Sequence, residues 1–320
     1  MQTRIIRTAT ISQHVREAGA GPLVIFCHGF PELGFSWRSQ IEAVAQAGFH
    51  AVAPDMRGYG GTEAPEGVEA YSILHLVGDM VALVQALGET RAVVVGHDWG
   101  APVAWHCALL RPDMFRAVAG LSVPFTPRRA ERAPLPVFRA MSRAMGKDFY
   151  MLRFQEPDAA AELEADVARA LGGAFWGYDG ATPDDRRASG FLAPGVSFLE
   201  SMGQPDGLPP WLTPEDFAVY VEAFQRSGFE GPLNWYRNLD RNWELTAFAQ
   251  DRRIEVPALF MVGEKDPVRG YSGKGEAELE AWVPGLREKR VVAGAGHWLQ
   301  QERLDEVNAA LLQFLASLTA

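Results

Sequence analysis

A chain of 320 residues is long for one compact core and predicts about two domains, or one domain carrying a large insertion. Hydrophobic residues make up 48% of it and charged residues 22%, ordinary globular values that argue against a disordered or fibrous protein. Lys and Arg number 30 against 40 Asp and Glu; the net charge of -10 repels phosphate backbones and anionic lipid, which argues against nucleic-acid or membrane partners and favours a neutral substrate.

The first segment, Ile5 to Arg16, alternates imperfectly and breaks at Glu17-Ala18-Gly19-Ala20-Gly21-Pro22, which predicts two edge strands and a turn. Leu23-Val24-Ile25-Phe26-Cys27 is continuously apolar, as in a strand buried on both faces. A helical pattern with Trp37, Ile41, Val44 and Ala45 follows, then a short strand from Phe49 to Ala53. The loop Asp55-Met56-Arg57-Gly58-Tyr59-Gly60-Gly61-Thr62 is expected to turn on its glycines and to hold an internal Asp55–Arg57 ion pair. Ser72 to Leu87 is helical, with Leu76, Met80, Leu83, Val84 and Leu87 on one face. The strand Ala92-Val93-Val94-Val95, a helix ending at Leu110 near Pro112, and a strand from Phe115 to Leu121 complete a β-α rhythm typical of a parallel, doubly wound sheet.

From about Val123 to about Thr246 that rhythm stops. This stretch holds helical segments and Pro/Gly-rich loops without a convincing strand. Ala159 to Leu171 reads as one amphipathic helix, Gly172 to Pro210 as a loop, and Thr213-Pro214-Glu215-Asp216 as a helix start with a threonine N-cap. The α/β rhythm resumes at Val256 to Val262. It continues through a helix near Glu276 to Trp282, a strand near Arg290 to Ala293, and a helix from about Leu304 to Leu318. The pattern predicts one α/β core, residues 1–123 and 247–320, interrupted by a helical insertion over 124–246. No repeat is present. The two cysteines, Cys27 and Cys107, form no disulfide framework or metal motif and fit buried thiols in a cytoplasmic protein. Met1 to Arg7 lacks the apolar region of a signal peptide, and no apolar run approaches the roughly 18 residues of a membrane helix.

The chemistry centres on Gly96-His97-Asp98-Trp99-Gly100-Ala101, directly after an apolar strand. Small residues flanking a nucleophile at a strand-to-helix turn mark a nucleophile elbow. Its central residue is Asp98, where serine is usual. The positive end of the following helix favours an ionised carboxylate there. A carboxylate attacking an sp³ carbon forms an alkyl ester, which water can later hydrolyse at its carbonyl. A serine attacking the same carbon would form an ether with no easy exit, so a serine-type esterase is excluded at this position.

Hydrolysing that ester takes a base. His297, in Gly294-Ala295-Gly296-His297-Trp298 after a predicted strand, is placed to take a proton from water as a neutral imidazole. Asp266, in Gly263-Glu264-Lys265-Asp266-Pro267, is the carboxylate expected to orient it, with Glu264 as the rival nearer the strand. The chain order Asp98, Asp266, His297 is that of the elbow architecture. The backbone N–H groups of Phe30 and Trp99 are the expected oxyanion donors, and Phe30-Pro31 is a candidate cis peptide. His28 reads as a loop-shaping residue, and His97 and His106 carry no special assignment.

These motifs resemble those of the epoxide hydrolases of the α/β-hydrolase fold. His28-Gly29-Phe30-Pro31-Glu32, Gly96-His97-Asp98-Trp99-Gly100 and Gly296-His297-Trp298 are similar to that family's core motifs. Within the insertion, Phe149 to Pro157 and Gly231 to Asn238 are similar to the cap segments that carry its two ring-opening tyrosines. The resemblance covers essentially the whole chain. It implies an α/β-hydrolase fold with a mostly parallel sheet and a helical cap, and hydrolysis of an epoxide to a vicinal diol. It further implies that Tyr150 and Tyr236 donate to the ring oxygen while Asp98 attacks carbon, with no metal or cofactor. A phenol of pKa about 10 is acidic enough to protonate the alkoxide that ring opening releases.

Two alternatives share parts of this pattern. A haloalkane dehalogenase has the same fold, nucleophile and ester, but its halide leaves without a proton and has no use for two tyrosines. A non-catalytic ligand receptor of the fold would not need Asp98, Asp266, His297, Tyr150 and Tyr236 together. Phe30, Trp99, Phe154 and Trp298 predict a largely apolar pocket for neutral aryl or alkyl epoxides. The expected partners are thus an epoxide and water, and the oligomeric state stays open.

Overall fold

A computed structural model describes residues 1–129, 131–202 and 205–318. Eight strands form one sheet: β1 (Gln2–Arg7), β2 (Ser12–Ala18), β3 (Leu23–Cys27), β4 (His50–Pro54), β5 (Ala92–His97) and β6 (Phe115–Leu121), and later in the chain β9 (Ala258–Gly263) and β10 (Leu286–Val292). Two further strands, β7 (Asp148–Phe149) and β8 (Phe191–Leu192), pair antiparallel on their own between β6 and β9. The sheet order is β1-β2-β4-β3-β5-β6-β9-β10. β1, β2 and β4 pair antiparallel, and every pairing from β4 through β10 is parallel.

Strand periodicity sorts the apolar side chains onto two faces. Leu23, Ile25, Cys27, Val94, Val118 and Phe260 point to one face, which the helices Ile73–Ala86 and Gly100–Leu110 cover. Val24, Phe26, Val93, Val95, Ala119 and Met261 point to the other, covered by the helices Arg38–Gln46 and Leu304–Ala316. Each fully buried Leu or Met on those helices, such as Leu76, Met80 or Leu311, adds about 1.5–3 kcal/mol over an exposed one. Continuous apolar strands are what two covered faces require.

Parallel strands end at one edge, and the loops that leave it bring distant residues together. Phe30 follows β3, Asp98 follows β5, Ser122 follows β6, Asp266 follows β9 and His297 follows β10. The helical segment between β6 and β9 lies over this edge. It is tied to the core by the Trp235 Nε1–H bond to the Arg57 carbonyl (3.1 Å), the Arg38–Asp216 ion pair (2.8 Å) and the Ser36–Tyr220 hydroxyl bond (2.8 Å).

Several local expectations are corrected. The insertion does hold strands, the β7–β8 pair, but two residues per strand are too few to show alternation in sequence. The expected single helix over Ala159–Leu171 is two helices, Ala159–Glu164 and Val167–Gly177, because Asp166 caps a new start by accepting from the Arg169 N–H at 3.0 Å. The second helix runs through Gly172-Gly173, where a loop was expected. Packing explains the glycines: a Cβ on Gly173 would collide with the Met202 side chain. The helix expected near Glu276 begins at Arg269, its first turns masked in sequence by Gly270, Gly273 and Gly275. Asp55 and Arg57 do not pair with each other. Asp55 binds Arg16 (2.8 Å) and His14 (2.7 Å), and Arg57 binds Asp79 (2.6 Å). Residues 203 and 204 of the expected loop, residue 130 of the expected insertion and 319–320 of the expected core lie outside the described residues.

Candidate active site

The turn after β5 puts Asp98 at φ 50°, a left-handed conformation uncommon for a non-glycine residue and a site of local strain. The turn closes only because its flanks lack side chains. A Cβ on Gly96 would collide with the Gly100 carbonyl, and one on Gly100 with the Cys27 carbonyl. Gly96→Ala is therefore expected to destabilise the fold by about 2 kcal/mol or more through overpacking against backbone, visible as a lower melting temperature.

Asp98 is buried and its two oxygens have different partners. Oδ1 accepts from the Phe30 N–H at 2.8 Å, and Oδ2 lies 3.5 Å from His297 Nε2. The other nitrogen of His297, Nδ1, stands 3.1 Å from Asp266 Oδ1 and 3.1 Å from Ser122 Oγ. Glu264, the sequence-level rival of Asp266, turns away and accepts from the Gly294 N–H at 2.8 Å. Asp266 in turn accepts from the Val268 N–H at 2.9 Å, which fixes its carboxylate.

Charge in this cleft is coupled. Burial alone would raise the Asp98 carboxyl, but the hydrogen bond and charge of His297, aided by His97 and the Phe30 N–H, hold it below the usual carboxylate range. Burial alone would likewise depress His297; its flanking carboxylates, Asp266 and then Asp98, drive it well above the ordinary imidazole value. With Asp98 ionised, His297 has a carboxylate on each side, and both favour its protonated form.

Tyr150 and Tyr236 come from separate helices, Tyr150–Arg153 and Glu230–Arg237, and their rings meet 6.0 Å apart, centroid to centroid. Burial raises both phenols well above their ordinary value, and the charge of Asp98 adds to this, so both are protonated donors at neutral pH. Phe154 packs edge-on behind both rings, at 5.4 and 5.0 Å. Trp99 packs on Tyr236 at 5.2 Å and Phe30 packs on it at 5.6 Å.

Phe30, Asp98, Tyr150, Tyr236, His297 and Trp298 all line one cleft, joined by Tyr178, Phe198, Val268 and Tyr271. The free space among them is about 30 Å³, room for one or two waters. Of the four pocket residues expected from sequence, Phe30 and Trp298 are on the wall. Trp99 and Phe154 sit behind it against the tyrosines.

Sequence reasoning passed over several residues here. His97, left unassigned, is fully buried and bridges the His297 carbonyl (Nε2, 2.8 Å) to Glu32 Oε2 (Nδ1, 2.7 Å). Gln300 donates to the other Glu32 oxygen at 2.9 Å, so this buried network holds the His297 loop from behind. Ser122 sits at φ 70° immediately past β6, a strained position that aims its hydroxyl at His297. Tyr178 accepts from the His297 N–H at 2.9 Å through its carbonyl. The one sequence signal for any of them was adjacency to a strand end. By contrast, His28 does shape its loop as expected, accepting from the Met56 N–H at 2.8 Å, and Phe30-Pro31 is cis.

A sequence profile of the alpha/beta hydrolase fold matches residues 22–304. The chain is 48% identical to epoxide hydrolase A of Mycobacterium tuberculosis over 320 residues, 98% of this chain and 97% of that one. The chain belongs to the epoxide hydrolases of the α/β-hydrolase fold. Solved epoxide hydrolases superpose closely on this one. An enzyme from an endophytic Streptomyces matches with a TM-score of 0.95 and 43% identity over 99% of this chain and 96% of that one. Epoxide hydrolase A of Mycobacterium thermoresistibile matches with a TM-score of 0.92 and 45% identity over 98% of each. As an epoxide hydrolase it acts on an epoxide and water, and the haloalkane dehalogenase and receptor alternatives fall away. None of its helices among the described residues is long and apolar enough to cross a membrane.

Proposed function

We propose that this epoxide hydrolase works through a covalent ester on Asp98, with Tyr150 and Tyr236 as ring-opening acids and His297, oriented by Asp266, as the base of the second step. The supporting observation is the position of His297 between two carboxylates, 3.5 Å from Asp98 and 3.1 Å from Asp266, in a cleft that two protonated tyrosines share.

In the first step Asp98 Oδ2 attacks one ring carbon and the carbon–oxygen bond opposite breaks. The phenol nearest the ring oxygen gives up its proton, so a hydroxyl forms in place of an alkoxide. The ester has no charge. His297 then loses the carboxylate that helped hold its proton, its pKa falls, and the proton can return through the cleft to the phenolate. Alkylation of Asp98 thereby produces the neutral imidazole that the second step uses.

In the second step His297 takes a proton from water and the hydroxide adds to the ester carbonyl. Oδ1 carries the developing negative charge, and the Phe30 N–H already points at it; the Trp99 N–H is its second donor in this reading. Collapse releases the diol, whose oxygen takes the proton from His297; the carboxylic acid left on Asp98 then gives its proton to His297, which restores the carboxylate and the imidazolium. The aromatic lining fits neutral aryl or alkyl epoxides as substrates. The reading divides the insertion, 124–246, from the core, 1–123 and 247–320, as the element that supplies the acids.

A single turnover in ¹⁸O-water tests this reading. The label is expected in the Asp98 carboxylate and absent from the first diol released, because the diol oxygen comes from the carboxylate. Label in that first diol would mean direct attack by water.

A further inference from the structure

We propose that Tyr271 is a third phenol of the ring-opening step, a positioning residue that donates its hydrogen bond to Tyr150 and so aims the Tyr150 proton at the substrate oxygen and stabilises the phenolate left behind. This rests on the assignment of Tyr150 as an acid. Tyr271 belongs to the core, where it stands in the first turn of the helix Arg269–Trp282, five residues past Asp266. The turn that carries it is held by the Tyr271 N–H bond to the Val268 carbonyl at 3.1 Å, and the Val268 N–H binds Asp266. One short segment therefore presents both the carboxylate for His297 and a hydroxyl for Tyr150.

The Tyr271 and Tyr150 hydroxyl oxygens are 3.5 Å apart, the long limit of a hydrogen bond, as is common before a charge has developed. Their approach is built into the backbone. Gly190, at φ +77°, binds the Tyr150 N–H through its carbonyl at 3.0 Å, and a Cβ there would press on Tyr150 Cδ1 at 3.2 Å with Tyr271 Cε1 at 3.6 Å. On the far side Phe149 packs against the Tyr271 ring at 5.2 Å. Tyr271 lines the substrate cleft beside Tyr150 and Tyr236.

The titratable groups facing this pair are Asp98, Tyr178 and Tyr236 around Tyr150, and Tyr178 and Asp266 around Tyr271. Burial raises both phenols. In the proposed arrangement Tyr271 is the donor of this bond, which favours a phenolate on Tyr150 over one on Tyr271. When Tyr150 accepts from Tyr271, its own O–H is not used between the two phenols and is left for the epoxide. In ring opening the Tyr150 O–H bond breaks, its proton moves to the ring oxygen, and the Tyr271 O–H stays intact against the new phenolate.

The test is Tyr271→Phe, measured by single-turnover alkylation and ester hydrolysis of an aryl epoxide across pH. Loss of one strengthening hydrogen bond predicts alkylation slower by about 3- to 10-fold and an alkaline limb moved up by about half a pH unit, with hydrolysis of the ester unchanged. In a Tyr150→Phe background the added change is expected to have no effect, and in a Tyr236→Phe background the same factor should persist. Alkylation at the unaltered rate with an unmoved alkaline limb overturns the proposal. So does an equal loss in both steps with a lowered melting temperature, which would mark a structural role. If the unaltered enzyme forms no ester on Asp98, the mechanism beneath the proposal fails with it; if the ester forms and Tyr271→Phe changes nothing, the proposal fails alone.

Discussion

His297→Gln is expected to alkylate once and then stop, accumulating an ester on the peptide that contains Asp98. A carboxylate nucleophile needs no base, and with the His297 charge gone the Phe30 N–H still binds Oδ1 and helps keep Asp98 ionised. Glutamine can fill the imidazole volume and offer an amide N–H toward Oδ2, but it cannot accept a proton from water. A general base contributes about 10²- to 10⁴-fold, so steady-state turnover should fall by about three orders of magnitude while the first alkylation remains measurable. Intact-protein mass spectrometry after mixing with substrate reads the result directly as a mass increase of one substrate molecule. Retained turnover with no adduct would remove His297 from the second step.

The second large effect belongs to the two tyrosines. Tyr150→Phe with Tyr236→Phe keeps both rings, and with them the contacts to Phe154, Trp99 and Phe30, so the fold should lose little. What goes is every phenol proton within the pair that faces Asp98. Ring opening must then expel an alkoxide that neither tyrosine protonates, which costs far more than expelling an alcohol. Alkylation is expected to fall by about 10⁴-fold or more in the double variant, and by about 10- to 100-fold in each single variant, because one phenol partly covers for the other. Stopped-flow alkylation under single turnover measures all three. Near-normal alkylation in the double variant would reassign the acid to another group.

What could be read ahead of the structure follows from range. The elbow is encoded within five residues, since the small flanks of Asp98 and the strand before it are neighbours in sequence. Asp266 and His297 were reachable because each follows a strand end, and parallel strands deliver their loops to one edge. Tyr150 and Tyr236 were reachable only through a family resemblance, as their local patterns carry no signal for a phenol over a carboxylate. The choice of Asp266 over Glu264 was made on position. The geometry that separates them is the turn that binds Glu264 to the Gly294 N–H and leaves Asp266 beside His297.

Other errors share one cause, tertiary packing overriding local propensity. Gly172-Gly173 and Gly270, Gly273 and Gly275 look like helix breakers, yet they lie inside helices. The second misreading left the first turn of the helix Arg269–Trp282, which carries Tyr271, outside the expected element. Asp55 and Arg57, two apart, looked like an internal pair, but each met a better-placed partner on β2 or the helix Ile73–Ala86.

The sequence by itself determined the class of fold and picked out the elbow carboxylate and the strand-end residues on which the proposed mechanism rests, because strand periodicity, turn stereochemistry and the reactivity of a carboxylate are local properties. Only the tertiary structure decided that His297 lies between two carboxylates that raise its pKa, that His97 and Glu32 hold its loop, and that Tyr271 reaches Tyr150. Those facts depend on distances between residues separated by dozens to hundreds of positions, and on burial, which no single segment possesses until the sheet and the helices above it have closed around the cleft.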